Sequence, residues 1–288
     1  MSAYLSVFIS SILWAISTQF YSKMVNKLTV FRFNFYKNVI AFVCFFIAAY
    51  FMGSVIAPKQ SIGWLMMSGF LGLGLADLFI FYSFAKNGPA RTMMLSAFSP
   101  SIIAIHSYFI LGKTLPVAKV MGLFFLLSCL FFVAMERKRR GNVSLKIALL
   151  ALVGVNLEAL GVVFTKQAFM LAPELNSMTA NLYRLLPAIV FLFIFNRIRG
   201  VKMEIGDIDK KTKTTVVASS IMGAFLALYF YLHAISKHGH PSIIAGLGSL
   251  APIYASIYEH WRDKKRPNRY FIGSILSMIA GALLLIFA

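Results

Sequence analysis

Residues 38–57 read NVIAFVCFFIAAYFMGSVIA, twenty residues in a row without a charge. A helix rises about 1.5 Å per residue, so a run of this length spans the roughly 30 Å hydrocarbon core of a bilayer. Met1–Ser22, Thr214–Ser236 and Tyr270–Ala288 are equally free of Lys, Arg, Asp and Glu. An unpaired backbone amide in lipid is too costly to leave open, so each run is expected to be helical. A lipid-facing β-barrel would instead show alternating segments.

Working outward, the whole chain fits this reading. Of its 288 residues, 59% are hydrophobic and only 13% are charged, where a soluble domain carries about a quarter. The mean hydropathy is +0.79. Met1–Ser22 lacks the basic start and small-residue cleavage site of a signal peptide, so it reads as a retained helix. Cys44 and Cys129 lie inside apolar runs and read as small buried hydrophobes.

The pattern predicts spans at 3–22, 33–53, 62–85, 90–111 and 116–135, then at 145–170, 175–196, 214–236, 241–258 and 269–288. The expected fold is therefore an all-α integral membrane protein with ten transmembrane helices. No stretch between spans is long enough for a soluble domain; the longest, Arg197–Lys213, is polar and charged.

The formal net charge is +19. Nucleic acid is not the expected partner, because the cations sit in short connections between spans. The connections after the odd-numbered spans hold 21 Lys and Arg, including Arg137–Arg140, Lys210, Lys211, Lys213 and Lys264–Arg266. The other side holds 5: Lys59, Lys113, Lys119, Lys166 and Lys237. By the positive-inside rule the basic side is cytoplasmic. Both termini are then extracytoplasmic, in a multi-pass protein of the cell membrane.

The halves echo each other. Phe33-Asn34-Phe35-Tyr36-Lys37 matches Ala180-Asn181-Leu182-Tyr183-Arg184, and Phe81–Ala85 matches Phe230–Ala234. Pro100 and Pro252 occupy corresponding spans, as do Gly122 and Gly273, at offsets between 147 and 152 residues. The expected domains are two five-helix repeats, 1–138 and 144–288. Five is odd, so the second repeat is inverted in the membrane, an arrangement typical of transporters.

These features together resemble the drug/metabolite transporter superfamily and its EamA-type members. The resemblance is carried by Leu13-Trp14-Ala15 and by the cations Lys37 and Arg184 in spans 2 and 7. It continues in Gly72–Asp77, in Ala85–Arg91 and in Pro100. It implies a secondary transporter, with export as the direction. Two features depart from the family pattern. Lys113 stands where a Glu is usual before span 5. The family's termini are also usually cytoplasmic, whereas the charge count here places them outside.

Ionisable groups inside spans cost roughly 2.5–3.5 kcal/mol each on insertion scales and usually face a bundle interior. Here they are Lys37, Asp77, His106, Glu158, Arg184 and His233. Asn34 and Lys37 share a helix face, as do Asn181 and Arg184, at a spacing of three. Such a face suits a carboxylate, phosphate or zwitterion. Lys37 lies nearer a helix end, where snorkelling to the interface is the simpler expectation; Arg184 lies deeper. Trp14, Tyr36, Tyr183, Tyr229 and His233 are the candidate amphipathic wall. Pro100 and Pro252 are expected inside spans 4 and 9 as kinks. Ala118 and Gly122 in span 5, with Gly273, Ser277 and Gly281 in span 10, form small-residue stripes suited to close packing or a homodimer.

His238 and His240 lack nearby carboxylates, so no metal is expected, and no cofactor motif is present. The expected function is transport of a small polar or amphiphilic metabolite, such as an amino acid, by alternating access. A nucleotide-sugar or amine transporter of the same superfamily and a membrane-embedded lipid-modifying enzyme are the alternatives.

Overall fold

The structure, a computed structural model, describes residues 1–96, 98–137, 145–201, 203, 204, 206–251, 253, 254 and 269–287. Helix α1 (Ala3–Leu28) starts on a Ser2 side chain that accepts from Leu5 N. It runs six residues past its expected end, because Met24, Val25 and Leu28 stay buried while Lys23, Asn26 and Lys27 face out. Thr29 alone separates it from α2 (Val30–Phe51).

A rod of 29 residues, Lys59–Asn87, follows. It is α-helical as α3 (Lys59–Gly69), π-helical over Phe70–Ala76, and α-helical again as α4 (Asp77–Asn87). The 28-residue rod Lys210–Lys237 repeats this design. Its parts are α10 (Lys210–Ser220), a π segment over Ile221–Ala227, and α11 (Leu228–Lys237). Hydropathy marks both rods as spans, but the π turns have no signature in it.

Residues 90–111 were expected to form one kinked span. They are divided into α5 (Pro89–Ser96) and α6 (Ser99–Leu111). Pro100 is a first-turn residue of α6 rather than an interior kink. That position tolerates proline because its missing N–H has no helical partner to lose. The corresponding span begins as α12 (Pro241–Gly248) and turns at Ser249–Leu250; Pro252 itself lies outside the described residues. So do the basic clusters Lys138–Arg140 and Lys264–Arg266 and the side chain of Cys129. Cys44 is half-buried and unbonded. The remaining helices are α7 (Val117–Arg137), α8 (Leu145–Leu171), α9 (Ser177–Ile198), which contains Pro187, and, last among the described residues, α13 (Arg269–Phe287).

Among the described residues, six helical stretches are long and apolar enough to cross a membrane. Large side chains such as Phe46, Ile47, Val190 and Phe193 on these stretches, and Phe124 and Leu276 on the shorter apolar helices α7 and α13, are exposed. In water such a surface would aggregate; in a bilayer it is the solvent-facing surface. Inside, a larger apolar core gathers Val7, Ile103, Leu232, Ile244 and Leu247. A smaller one gathers Tyr21, Phe33, Phe81 and Val216. Where lipid is the solvent, helices associate chiefly by close packing. The most extensive helix pair is α7 with α13. There a Cβ on Gly281 would sit 2.9 Å from Gly122 O. The glycine stripe expected for packing or a dimer is therefore filled within the chain.

A tighter approach joins α3 to α9. A Cβ on Gly69 would lie 1.7 Å from the backbone oxygen of Arg184, whereas one on Gly63 would meet nothing within 4 Å. Gly69→Ala should therefore cost at least the roughly 1–3 kcal/mol of an overpacked core. Gly63→Ala should be neutral or slightly stabilising. Melting of the two purified variants beside wild type checks this, and an unchanged Gly69→Ala would show that the two helices do not meet at this point.

Candidate functional site

A cavity of about 200 Å³ lies at the centre of the bundle. Its wall comes from both halves of the chain in matched positions. Gly72 and Gly223, Leu73 and Ala224, Asp77 and Leu228, and Ile80 and Tyr231 all line it, each pair 151 residues apart. Met93 and Ala245, Ser96 and Gly248, and Ser99 and Ala251 do so at 152. In the paired rods this register differs by two residues from the Phe81/Phe230 match read from sequence, which rested on similar letters rather than on facing.

The charges are unevenly shared. Lys37 is only 4% exposed and does not snorkel. Its ammonium pairs with Asp77 and lies 4.8 Å from the centre of the Phe81 ring. Asp77 is the first residue after the π segment of its rod; Leu228 takes its place in the second copy. Arg184, also 4% exposed, is held by neutral groups. Its Nε donates to Ser68 Oγ at 2.9 Å and one terminal nitrogen to Asn181 Oδ1 at 3.2 Å. Ser68 Oγ in turn donates to Gly161 O at 2.6 Å. Glu158 lines the cavity and makes no hydrogen bond or ion pair with the described residues. Lys37–Asp77 and Arg32–Asp207 are the ion pairs among those residues.

Of the eleven residues singled out from sequence, Trp14, Lys37, Asp77, Glu158 and Arg184 line the cavity. The other six lie elsewhere. Asn34 is fully buried against Leu73 O. Asn181 holds Arg184 from behind and donates to Ser177 O. Tyr36 donates to Met203 O at 2.9 Å, near Arg32. Tyr183 packs against the larger apolar core. Tyr229 and His233 face each other at 6.0 Å, and His233 Nε2 is buried without a partner. His106 bonds Asn156 at 3.0 Å on an exposed surface.

Sequence reasoning missed Thr18, Tyr21, Asn38 and Tyr231, which also line the cavity. A signal existed for three of them. Thr18 and Tyr21 continue the face of Trp14 at spacings of four and seven, and Asn38 follows Asn34 by four. Tyr231 was hidden by the shifted register. The ring of Trp14 is fixed in place: its Nε1 donates to Gly223 O at 3.1 Å, and its ring lies 4.9 Å from that of Tyr231.

A multi-pass helical bundle around a charged central cavity has the architecture of a membrane transporter. The chain belongs to the EamA-like transporter family, whose model matches residues 1–135 and again 145–287. Members of this family are transporters of the drug/metabolite superfamily. The fold is also similar to a chain solved by crystallography, with a TM-score of 0.78 and 15% identity, covering 99% of this chain and 98% of the other. Among curated proteins, no sequence matches this one.

Removing one partner of a buried ion pair leaves an uncompensated charge and typically costs about 3–5 kcal/mol, while replacing both by apolar groups is often neutral. Asp77→Leu or Lys37→Met alone should thus lower the melting temperature sharply, and the double variant should recover most of the loss. Additive losses in the double variant would mean the pair is not coupled.

Proposed function

We propose that this chain is a secondary active transporter that exports a small zwitterionic metabolite of the amino-acid class by alternating access. Its ten helices form two inverted five-helix repeats. One observation carries the substrate class. Arg184 and Glu158, unlike charges lining the same cavity, are not paired with each other. Among the described residues Arg184 is tied only to neutral partners, and Glu158 makes no hydrogen bond or ion pair. A ligand carboxylate meets the planar fork of Arg184, and its ammonium group meets Glu158. Trp14 and Tyr231 receive the apolar part. The Lys37–Asp77 pair adjoins this site without competing for it. The cavity volume is below the roughly 300–1,000 Å³ of pockets for drug-sized ligands. That supports a compact cargo over a nucleotide sugar.

The charge split supports a cytoplasmic basic side and extracytoplasmic termini. On the sparse side, Lys119 donates to Leu285 O at 2.8 Å and Lys166 to Ile235 O at 3.0 Å. These two lysines serve the carbonyl ends of helices, where a cation is favourable. They do not weaken the asymmetry. Among the described residues the cavity lining runs from mid-bundle towards the basic end, through Tyr21, Phe84 and Met93. Loading from the cytoplasm fits export. A homodimer would use the outward faces of α7 and α13, where Phe124 and Leu276 are exposed.

A flux and thermal-shift screen of reconstituted protein against amino acids, amines, nucleosides and nucleotide sugars tests the substrate class. Turnover of a lipid without solute movement would favour the enzyme alternative. With a binding amino acid in hand, Arg184→Ala should weaken affinity roughly 10- to 150-fold, the equivalent of a charge-assisted hydrogen bond of about 1.5–3 kcal/mol. Arg184→Lys should recover part of it. Glu158→Gln should weaken the amino acid but not its deaminated analogue. Wild-type affinity in a stably folded Arg184→Ala protein would remove Arg184 from the site.

Sidedness has its own check. Single cysteines replacing Ser2 and Lys211, both exposed, are offered an impermeant maleimide on intact cells. Labelling at position 2 alone agrees with the proposed topology, and labelling at position 211 alone reverses it.

A further inference from the structure

Two π-helical segments, Phe70–Ala76 and Ile221–Ala227, occupy matching places in the two rods, 151 residues apart. Each forms cavity wall, through Gly72 and Leu73 in one and Gly223 and Ala224 in the other. A π turn holds an extra residue, and such turns inside α-helices are frequent at functional sites. Their carbonyls are not left to lipid. Leu73 O accepts from Asn38 Nδ2 at 3.2 Å and from Asn34 Nδ2 at 3.5 Å. Gly223 O accepts from Trp14 Nε1 at 3.1 Å, and Ala227 O from Ser10 Oγ at 2.8 Å. Helix α2 thus staples one segment and α1 the other.

We propose that Asn38 and Trp14 are positioning residues that hold these segments in the π register, and that the segments pass to the α register as access to the cavity alternates. This rests on the transporter reading above. An α-helix turns about 100° per residue. Losing the π turn therefore rotates α4 by up to that amount relative to α3 and carries Asp77 away from Lys37. Breaking the Lys37–Asp77 pair is then part of the cycle, and the Asn38 staple, next to Lys37 in sequence, couples the two events. Among the described residues the Oδ1 of Asn38 is buried without a partner, so there the side chain is held through its donor.

Spin labels test this in the full chain, with Cys44 and Cys129 replaced by alanine. One label replaces Lys23 on α1 and the other Tyr82 on α4; both positions are exposed. A rotation of about 100° at a helix radius of about 5–6 Å moves the second label by roughly 8 Å. Two distance populations are expected in nanodiscs. Asn38→Leu should shift their ratio several-fold towards the rotated one, whereas deletion of Leu71, which removes the extra residue and closes the helix as α without turning α4, should leave only the unrotated one. A purely structural Asn38 would lower the melting temperature without moving the ratio. A single unchanged distance in both wild type and Asn38→Leu overturns the proposal, whether or not the deletion folds. Uptake of a radiolabelled amino-acid mixture into proteoliposomes is read in parallel. Two populations without uptake support the register change and count against the substrate reading; uptake with one population does the reverse.

Discussion

Water is missing from the middle of a bilayer, and the rest of this structure follows from that constraint. Every backbone amide has to find its partner inside the protein. Continuous helices do this by default, which is why the described residues are overwhelmingly helical. Where the chain departs from the α register, side chains take over. Asn38, Trp14 and Ser10 donate to the carbonyls of the π segments. At both π segments neighbouring helices supply those donors, and both segments border the cavity.

The same constraint governs the charges. An isolated ammonium or carboxylate in lipid is costly, so each buried one needs company. Lys37 and Asp77 provide it for one another. Arg184 receives neutral oxygens from Ser68 and Asn181, and the close approach at Gly69 fixes the backbone beside it. Those partners satisfy only part of a guanidinium's five donors. Glu158 makes no hydrogen bond or ion pair among the described residues, so the cavity wall carries one group of each sign, Arg184 and Glu158, outside the Lys37–Asp77 pair. The repeat symmetry is thus structural rather than chemical. The two copies offer matching wall positions, yet Asp77 faces Leu228 across the pseudo-symmetry.

Much of the architecture was legible because hydropathy and length are local properties. The run Asn38–Ala57 was expected to be helical throughout and is so as far as Phe51, and Lys37, Asp77, Glu158 and Arg184 turn inward as intramembrane charges should. Five of the eleven residues chosen on that logic line the cavity. Of the six that do not, Tyr36, Tyr183 and Tyr229 were chosen for their type, His233 as an ionisable group as well, and Asn34 and Asn181 for a spacing of three, which does not fix which way a face points. Asn34 and Asn181 are instructive: they lie three residues from Lys37 and Arg184, yet Asn181 supports Arg184 and Asn34 holds Leu73 O of the π segment. Gly122 and Gly281 likewise looked equally suited to a dimer and to internal packing; the structure uses them for contact between α7 and α13.

By itself the sequence determined that this chain is helical, crosses a membrane many times and repeats itself. Those properties depend on the composition of segments, and the bilayer imposes them on each segment separately. Only the tertiary structure decided which charges pair, which stay free, and where a helix takes an extra residue in its turn. These are decided by approach distances between helices far apart in sequence. Tyr231 rather than Phe230 reaches the cavity wall because of which face packs inward, and the π turn in each rod costs nothing in hydropathy and leaves no periodic trace.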